Sequence, residues 1–391
     1  FVALAISLSI YIHIPRSISG EQPILNNFGF EYSDIVYTYL NPVFRDVLND
    51  EGAFNVFKAQ NTWFNIDVAQ RLTTSEKLCP LPYRDYRFDQ PPLVGAIWAV
   101  STCISIQIAL PNRYTGLEYL QFYPRIVEIH YYVHSVILSA FFIMTVVYAY
   151  KLARILGLRL YRIAVFAVLP STVLYLIYSW DIVAAAFTVM ALYYLAKNRY
   201  HAAGIALGLA VTSGLTPLIL AIAVLYDLLQ KAKHNVYHRK FLQRYALGTV
   251  LGCVVPYAIV AALAHNALAH WLNSYLQITC ENCLYMYFLK SNADIYNRIY
   301  GVIAMVTGAL VILSIDIDYK NTRNLMLMSL ASLLIATSLN YVFKPQSMLM
   351  ISSLAVLALD VRQLIFFAIA DAANFGIMSL FFKEAEIRDW L

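Results

Sequence analysis

A few polar residues interrupt a very apolar chain, and their settings define the chemistry open to it. Asp34, in "FEYSDIVYTYL" at residues 30–40, lies among aromatic and β-branched neighbours shortly after the first apolar run. A carboxylate near a membrane surface is partly desolvated, which raises its pKa toward the range a general base needs. The same position suits a solvated loop acid or a helix cap, because "YSD" can begin a helix. In "YRDYRFDQPPLVG" (83–95), Arg84, Asp85, Arg87 and Asp89 precede a Pro-Pro pair well placed for a first helical turn. The alternating charges fit a self-paired cluster. They also fit a phosphate- or sugar-binding set in which guanidinium forks contact oxyanions.

Asp181 follows Trp180 in "SWD". A charge at the bilayer centre costs about 2.5–3.5 kcal/mol on the insertion scale, so Asp181 is expected near the outer boundary or in a wet cavity. Trp180 equally suits an interfacial aromatic belt. Lys344, in "NYVFKPQSMLM" with Gln346 just beyond it, is either a snorkelling lysine or a point charge for a lipid-linked phosphate. Of the five cysteines, at 79, 103, 253, 280 and 283, only "CENC" has C-x-x-C spacing. Without a second pair, it points to a local disulfide or to chance, and no metal is expected. Walker, dinucleotide-glycine, G-x-S-x-G and H-E-x-x-H patterns do not occur, so nucleotide-driven transport and zinc proteolysis have no support.

The elements that must position these residues follow from composition. The chain has 391 residues, 60% hydrophobic and 13% charged, against roughly 25% charged in soluble domains. Apolar runs near membrane-crossing length recur, as in "VHSVILSAFFIMTVVYAY" and "YALGTVLGCVVPYAIVAALA". The expected fold is all-α: a polytopic transmembrane helix bundle with a large extracytoplasmic first loop and a broken-helix hairpin. The net charge of +5 lies in short loops and reports topology rather than nucleic-acid binding. The first apolar run, "FVALAISLSIYIHI", is short for a span. It is expected to be part of a crossing that delivers the next loop, rather than a cleaved signal peptide.

Basic clusters at 151–162, 197–201, 230–244, 318–323 and 360–362 mark one side as cytoplasmic. Spans are then expected at about 125–150, 163–178, 182–196, 244–263, 298–315, 324–342, 347–360 and 363–382. Residues 202–229 have basic clusters at both ends and "TSGLTP" in the middle, which predicts a broken hairpin returning to the cytoplasmic side. "PPLVGAIWAVSTCISIQIAL" (91–110) is expected as an embedded or juxtamembrane helix with both ends outside. The whole reads as one integral membrane domain over 1–391, with the outer loop at 15–124 and the bundle at 125–391. Residues 15–124, 179–181, 264–297 and 343–346 then share the extracytoplasmic face.

In that order "YSDI", "DQPPL", "SWD", the broken "GLTPLIL" hairpin and "FKPQ" resemble the GT-C type membrane glycosyltransferases. The bacterial and archaeal mannosyltransferase- or arabinofuranosyltransferase-like branch is nearest. The similarity spans most of the chain, and the order of the motifs is more specific than any one of them. It implies transfer of a hexosyl or pentosyl group from a polyprenyl-phosphate donor to an acceptor hydroxyl on the outer face. Asp34 matches the family's catalytic acid, and Asp89, Pro91 and Pro92 match its "D-Q-P-P-L" segment. Trp180 and Asp181 match "N-W-D", with Ser179 in place of Asn. Lys344, Pro345 and Gln346 match "S-P-Q", and Arg84 and Arg87 are further candidates for donor phosphate. Gly214 stands where relatives often carry Lys, and "ITCENCLYMYF" where they carry "R-G-x-Q-x-E-S". Lys290, Arg298 or Arg84 are candidate replacements for these cations.

The resemblance implies no cofactor beyond the lipid-linked sugar. The implied partners are membrane lipids, that donor, and a glycan, lipid or protein acceptor. The implied location is a prokaryotic plasma membrane, multi-pass. Two rival readings are an inactive GT-C-like accessory subunit of a larger membrane complex and, with less support, a secondary transporter.

Overall fold

Helices in this chain begin where the sequence supplies caps and prolines. The computed structural model describes residues 1–15, 33–264, 267–277, 284–287, 295–319 and 321–382. Among them the chain is all-α, and extended pairing is limited to isolated bridges such as Trp63 with Tyr86. The longer helices are α1 Val2–Ile12, α2 Ile66–Thr74, α3 Pro92–Ala109, α4 Gly116–Ile155 and α5 Tyr161–Val168. Next come α6 Pro170–Tyr175, α7 Asp181–Ala196, α8 Tyr200–Val211, α9 Leu218–His234 and α10 Val236–Leu263. The last are α11 Ala267–Gln277, α12 Ile295–Leu313, α13 Thr322–Ser338, α14 Met348–Ala358 and α15 Val361–Phe382. Of these α3, α4 and α10 are long and apolar enough to cross a membrane, which marks a membrane protein.

Several boundaries differ from those read in the sequence. Thr115 and Glu118 form a reciprocal capping box, so α4 starts at Gly116, inside the region assigned to the first loop. Its 40 residues reach about 60 Å at the helical rise, twice the hydrocarbon thickness. The span expected at 163–178 is two helices, because Pro170 has no N–H to continue the ladder. Residues 202–229 hold two helices, α8 and α9, separated at residues 212–217 where "TSGLTP" interrupts the apolar run. The "CENC" cysteines lie outside the described residues. The disulfide among the described residues joins Cys79 to Cys103, fastening the loop before α3 to that helix, and Cys253 is free.

The basic clusters meet at one end of the bundle. Lys231 pairs with Asp227 at 3.1 Å and Asp316 at 3.0 Å, which ties α9 to the turn after α12. Tyr200 stacks on Phe241 at 4.6 Å and meets Tyr319 edge-on. Arg162 donates to the carbonyls of Val356 (3.0 Å) and Leu359 (2.6 Å). Ile155 and Leu156 share a surface depression with Asp318 and Arg323. Helix α8 leaves this end at Tyr200 and α9 returns to it at Lys231, so the 212–217 break sits at the opposite end.

At that opposite end the loop has its own aromatic core. Phe44, Trp63 and Tyr86 pack with ring centroids 5.1–5.7 Å apart. Their polar tips are satisfied: Trp63 Nε1 donates to Val43 O at 2.7 Å, Trp98 Nε1 to Tyr86 Oη at 2.7 Å and Tyr119 Oη to Phe44 O at 3.0 Å. Aromatic side chains with a polar tip suit such a core, because the ring buries area while the tip keeps a hydrogen bond.

Helices α8 and α10 cross almost backbone to backbone. A Cβ at Gly204 would lie 2.3 Å from Tyr245 O, one at Gly248 2.2 Å from His201 O, and one at Gly252 2.3 Å from Ile205 O. This is paired small-xxx-small packing, Gly204/Gly208 against Gly248/Gly252. Gly248→Leu is expected to destabilise the bundle by at least about 1–3 kcal/mol through overpacking. Gly376→Leu, at a glycine with nothing within 4 Å, is the matched control. Thermal unfolding in detergent should show a lowered Tm for the first variant and an unchanged one for the second.

Candidate functional site

A cavity of about 320 Å³ opens at the end opposite the basic clusters, within the size range of small-molecule sites. Four helix starts border it. Pro91 caps α3, Asp181 opens α7, Leu218 opens α9 and Ser347 precedes α14, and all four line the wall. Helix N-termini carry partial positive charge, so their convergence favours anions in the space between them. Leu93 N donates to Thr212 O at 3.0 Å, locking the start of α3 to the hairpin break.

Asp34 heads a π-helical segment, Asp34–Leu40, that forms one wall. Ser33 caps the segment by accepting from Val36 N at 3.4 Å, and Asp34 N donates to Tyr178 O at 3.2 Å. That bond couples the segment to the turn before α7, where Ser179 Oγ donates to Asp181 Oδ2 at 2.7 Å. Asp34 Oδ1 accepts from Thr38 Oγ1 at 3.5 Å and Oδ2 from Gln346 Nε2 at 3.3 Å. The carboxylate is open to the cavity and enclosed on its other sides. Burial lifts its pKa from 3.8 to about 6. The Lys344 ammonium and the hydrogen bonds from Tyr178 and Thr38 restrain the rise, and the Asp181 charge adds to it.

The cavity brings together Asp34, Asp89, Trp180, Asp181, Lys344 and Gln346. Lys344 is exposed, makes no ion pair within 4.0 Å among the described residues, and is the one Lys or Arg in the described lining. Trp180 is buried against Tyr39, Phe88 and Trp98 and forms the aromatic floor.

The structure leaves Arg84 and Arg87 off this wall. Arg84 holds the buried Asp85 through two contacts of 2.9 and 2.8 Å, the self-paired arrangement. Arg87 lies over the Phe64 ring at 5.6 Å, in a small cleft that shares Asp89 and Trp271 with the cavity. Lys290 lies outside the described residues, and Arg298 is not part of the described lining. Gly214 lines the cavity, and a Cβ there would meet only Ala184 Cβ, at 3.7 Å.

Gln90, Ser213, Thr216, Thr337 and Asn340 add polar atoms that sequence reasoning did not single out. Gln90 and Asn340 adjoin motifs that it did, so proximity in sequence was their signal. Trp271 and Met305 come from apolar helices with no such signal. Among the described residues no three His, Cys, Asp or Glu side chains converge at metal-binding range. No protein-family model, curated protein or solved structure matches the chain.

The Asp34 environment makes a prediction about stability. A pKa raised to about 6 means the native chain holds this proton more tightly than the unfolded chain. That contribution is complete below pH 3.8 and is lost as pH rises through 6. Above pH 6 the ionised carboxylate therefore costs at most about 3 kcal/mol relative to an unshifted acid. Asp34→Asn removes the titration. The Tm of the variant minus that of the parent should rise between pH 4 and about pH 6.5 and then level off.

Proposed function

We propose that the protein is a multi-pass membrane glycosyltransferase of GT-C type, moving a sugar from a polyprenyl-phosphate donor to an acceptor hydroxyl. The observation that carries this reading is one cavity holding a carboxylate whose pKa burial lifts to about 6 and an ammonium with no ion pair among the described residues, bordered by four helix N-termini. The order of the sequence motifs supports it independently. The basic clusters at the far end support an extracytoplasmic cavity in a prokaryotic plasma membrane. So does the Cys79–Cys103 disulfide that fastens the first loop to α3, since such bonds persist in oxidising compartments.

In the proposed reaction the acceptor oxygen attacks the anomeric carbon as its proton passes to Asp34. A new glycosidic C–O bond forms, the bond from that carbon to the donor phosphate breaks, and configuration inverts. The polyprenyl phosphate leaves as an anion, so it needs cationic stabilisation rather than protonation. Lys344 and the helix N-termini supply it. Gln346 orients the base through its bond to Oδ2, and Trp180 offers an apolar floor for a sugar ring.

A structural or accessory role in a larger membrane complex is the second reading. It is favoured by the single cation of the described lining and by the open space at Gly214.

Transfer in proteoliposomes loaded with polyprenyl-phosphate sugars tests the proposal. Asp34→Asn should reduce the rate by at least about 10²-fold, and Lys344→Ala by about 10- to 100-fold. The parent rate should fall on the acid side with a midpoint near 6. Undiminished transfer by Asp34→Asn would remove the base assignment. Fixed-stoichiometry copurification with a larger complex, with no transfer by the parent, would favour the accessory reading.

A further inference from the structure

Helix α15 exposes an apolar face through Val361, Ile365, Phe366 and Ile369, yet it buries two polar side chains three residues apart, Asp371 and Asn374. Such groups stay in an apolar interior only when hydrogen-bonded, and most of their capacity here is used between elements. Asp371 Oδ2 accepts from Ser171 N at 3.0 Å and Oδ1 from Ser352 Oγ at 3.2 Å. Ser171 Oγ donates to Asp371 O at 3.3 Å, which leaves its lone pair for Asn374 Nδ2 at 3.0 Å. The same Nδ2 donates to Pro345 O at 3.0 Å. Pro345 separates Lys344 from Gln346.

We infer that Asn374 is a positioning residue for the cavity: its amide fixes the Lys344–Gln346 turn against Asp34, and Asp371 fixes the amide by holding Ser171. The inference rests on the reading of the cavity as a working site, because the turn carries that site's ammonium and the amide bonded to its carboxylate. The chemistry of the residue fits the task. Two donor hydrogens on one nitrogen face two acceptors, Ser171 Oγ and Pro345 O, and neither an apolar nor an acidic side chain of this size can supply them. The helix thereby links a lipid-sized apolar surface to a turn on the cavity wall.

The groups facing Asp34 are Lys344, Gln346, Asp181, Tyr178, Tyr175 and Thr38. Only Lys344 and Gln346 ride on the turn, and both favour the charged carboxylate. Loosening the turn therefore moves the Asp34 titration upward, whereas opening the site to water moves it down toward 3.8.

The test needs no substrate. For the full chain in detergent, Tm is followed from pH 4 to pH 8 with and without Asp34→Asn, and the difference gives the Asp34 midpoint. Asn374→Leu keeps the branched shape and deletes both donors, and it should raise the midpoint by about half a pH unit or more. A midpoint that stays or falls, whatever happens to Tm itself, overturns the inference. If Asn374→Leu does not fold, Ser171→Ala removes one of the amide's two anchors and should give a smaller shift in the same direction. An unchanged midpoint there also overturns it. Because the titration is read without turnover, its failure leaves the transfer proposal standing. Loss of that proposal in turn leaves the titration readable.

Discussion

A carboxylate facing a mostly apolar bundle needs compensation, and much of the architecture serves the compensation around Asp34. Its backbone N–H is tied to the turn before α7, and its oxygens are held by Thr38 and Gln346. Burial lifts its pKa to about 6, with the Lys344 ammonium countering the rise and the Asp181 charge adding to it. These contacts come from three parts of the chain. The site therefore exists only when the first loop, the α7 start and the α14 lead-in meet.

What makes them meet is the placement of helix starts. Prolines at 91, 92, 217 and 345 break or begin helices where a continued backbone ladder would otherwise run. The result is a ring of N-termini around one space, with the α8–α9 break locked to α3 by the bond from Leu93 to Thr212. Behind that ring, the glycine crossing of α8 and α10 brings two backbones close enough to hold the hairpin in place. Ahead of it, the loop is kept rigid by its aromatic core and by the Cys79–Cys103 bond.

Charge is distributed along the long axis in a way that fits a membrane protein. The basic clusters of the inter-helix loops meet at one end through ion pairs and carbonyl contacts, and the cavity lies at the other. Between them α10 leaves Leu247, Leu251, Val254 and Ile259 exposed, an apolar surface suited to lipid.

The sequence by itself determined the class and much of the site. Composition made the fold helical and membrane-like, "TSGLTP" marked the hairpin break, and the motifs at Asp34, Asp89, Trp180, Asp181, Lys344 and Gln346 named lining residues. These signals are local: a proline, a charge or an interrupted apolar run acts where it stands. Tertiary structure alone decided the rest. It chose the self-paired reading for Arg84 and Asp85, set Arg87 against Phe64 and joined Cys79 to Cys103. It also linked Asn374 to Pro345. The partners in most of these contacts are far apart in the chain, and their pairing depends on how helices cross. Composition and spacing do not encode a crossing, so the acid and its candidate partners were legible one by one, while their arrangement around its charge became visible only once the helices were packed.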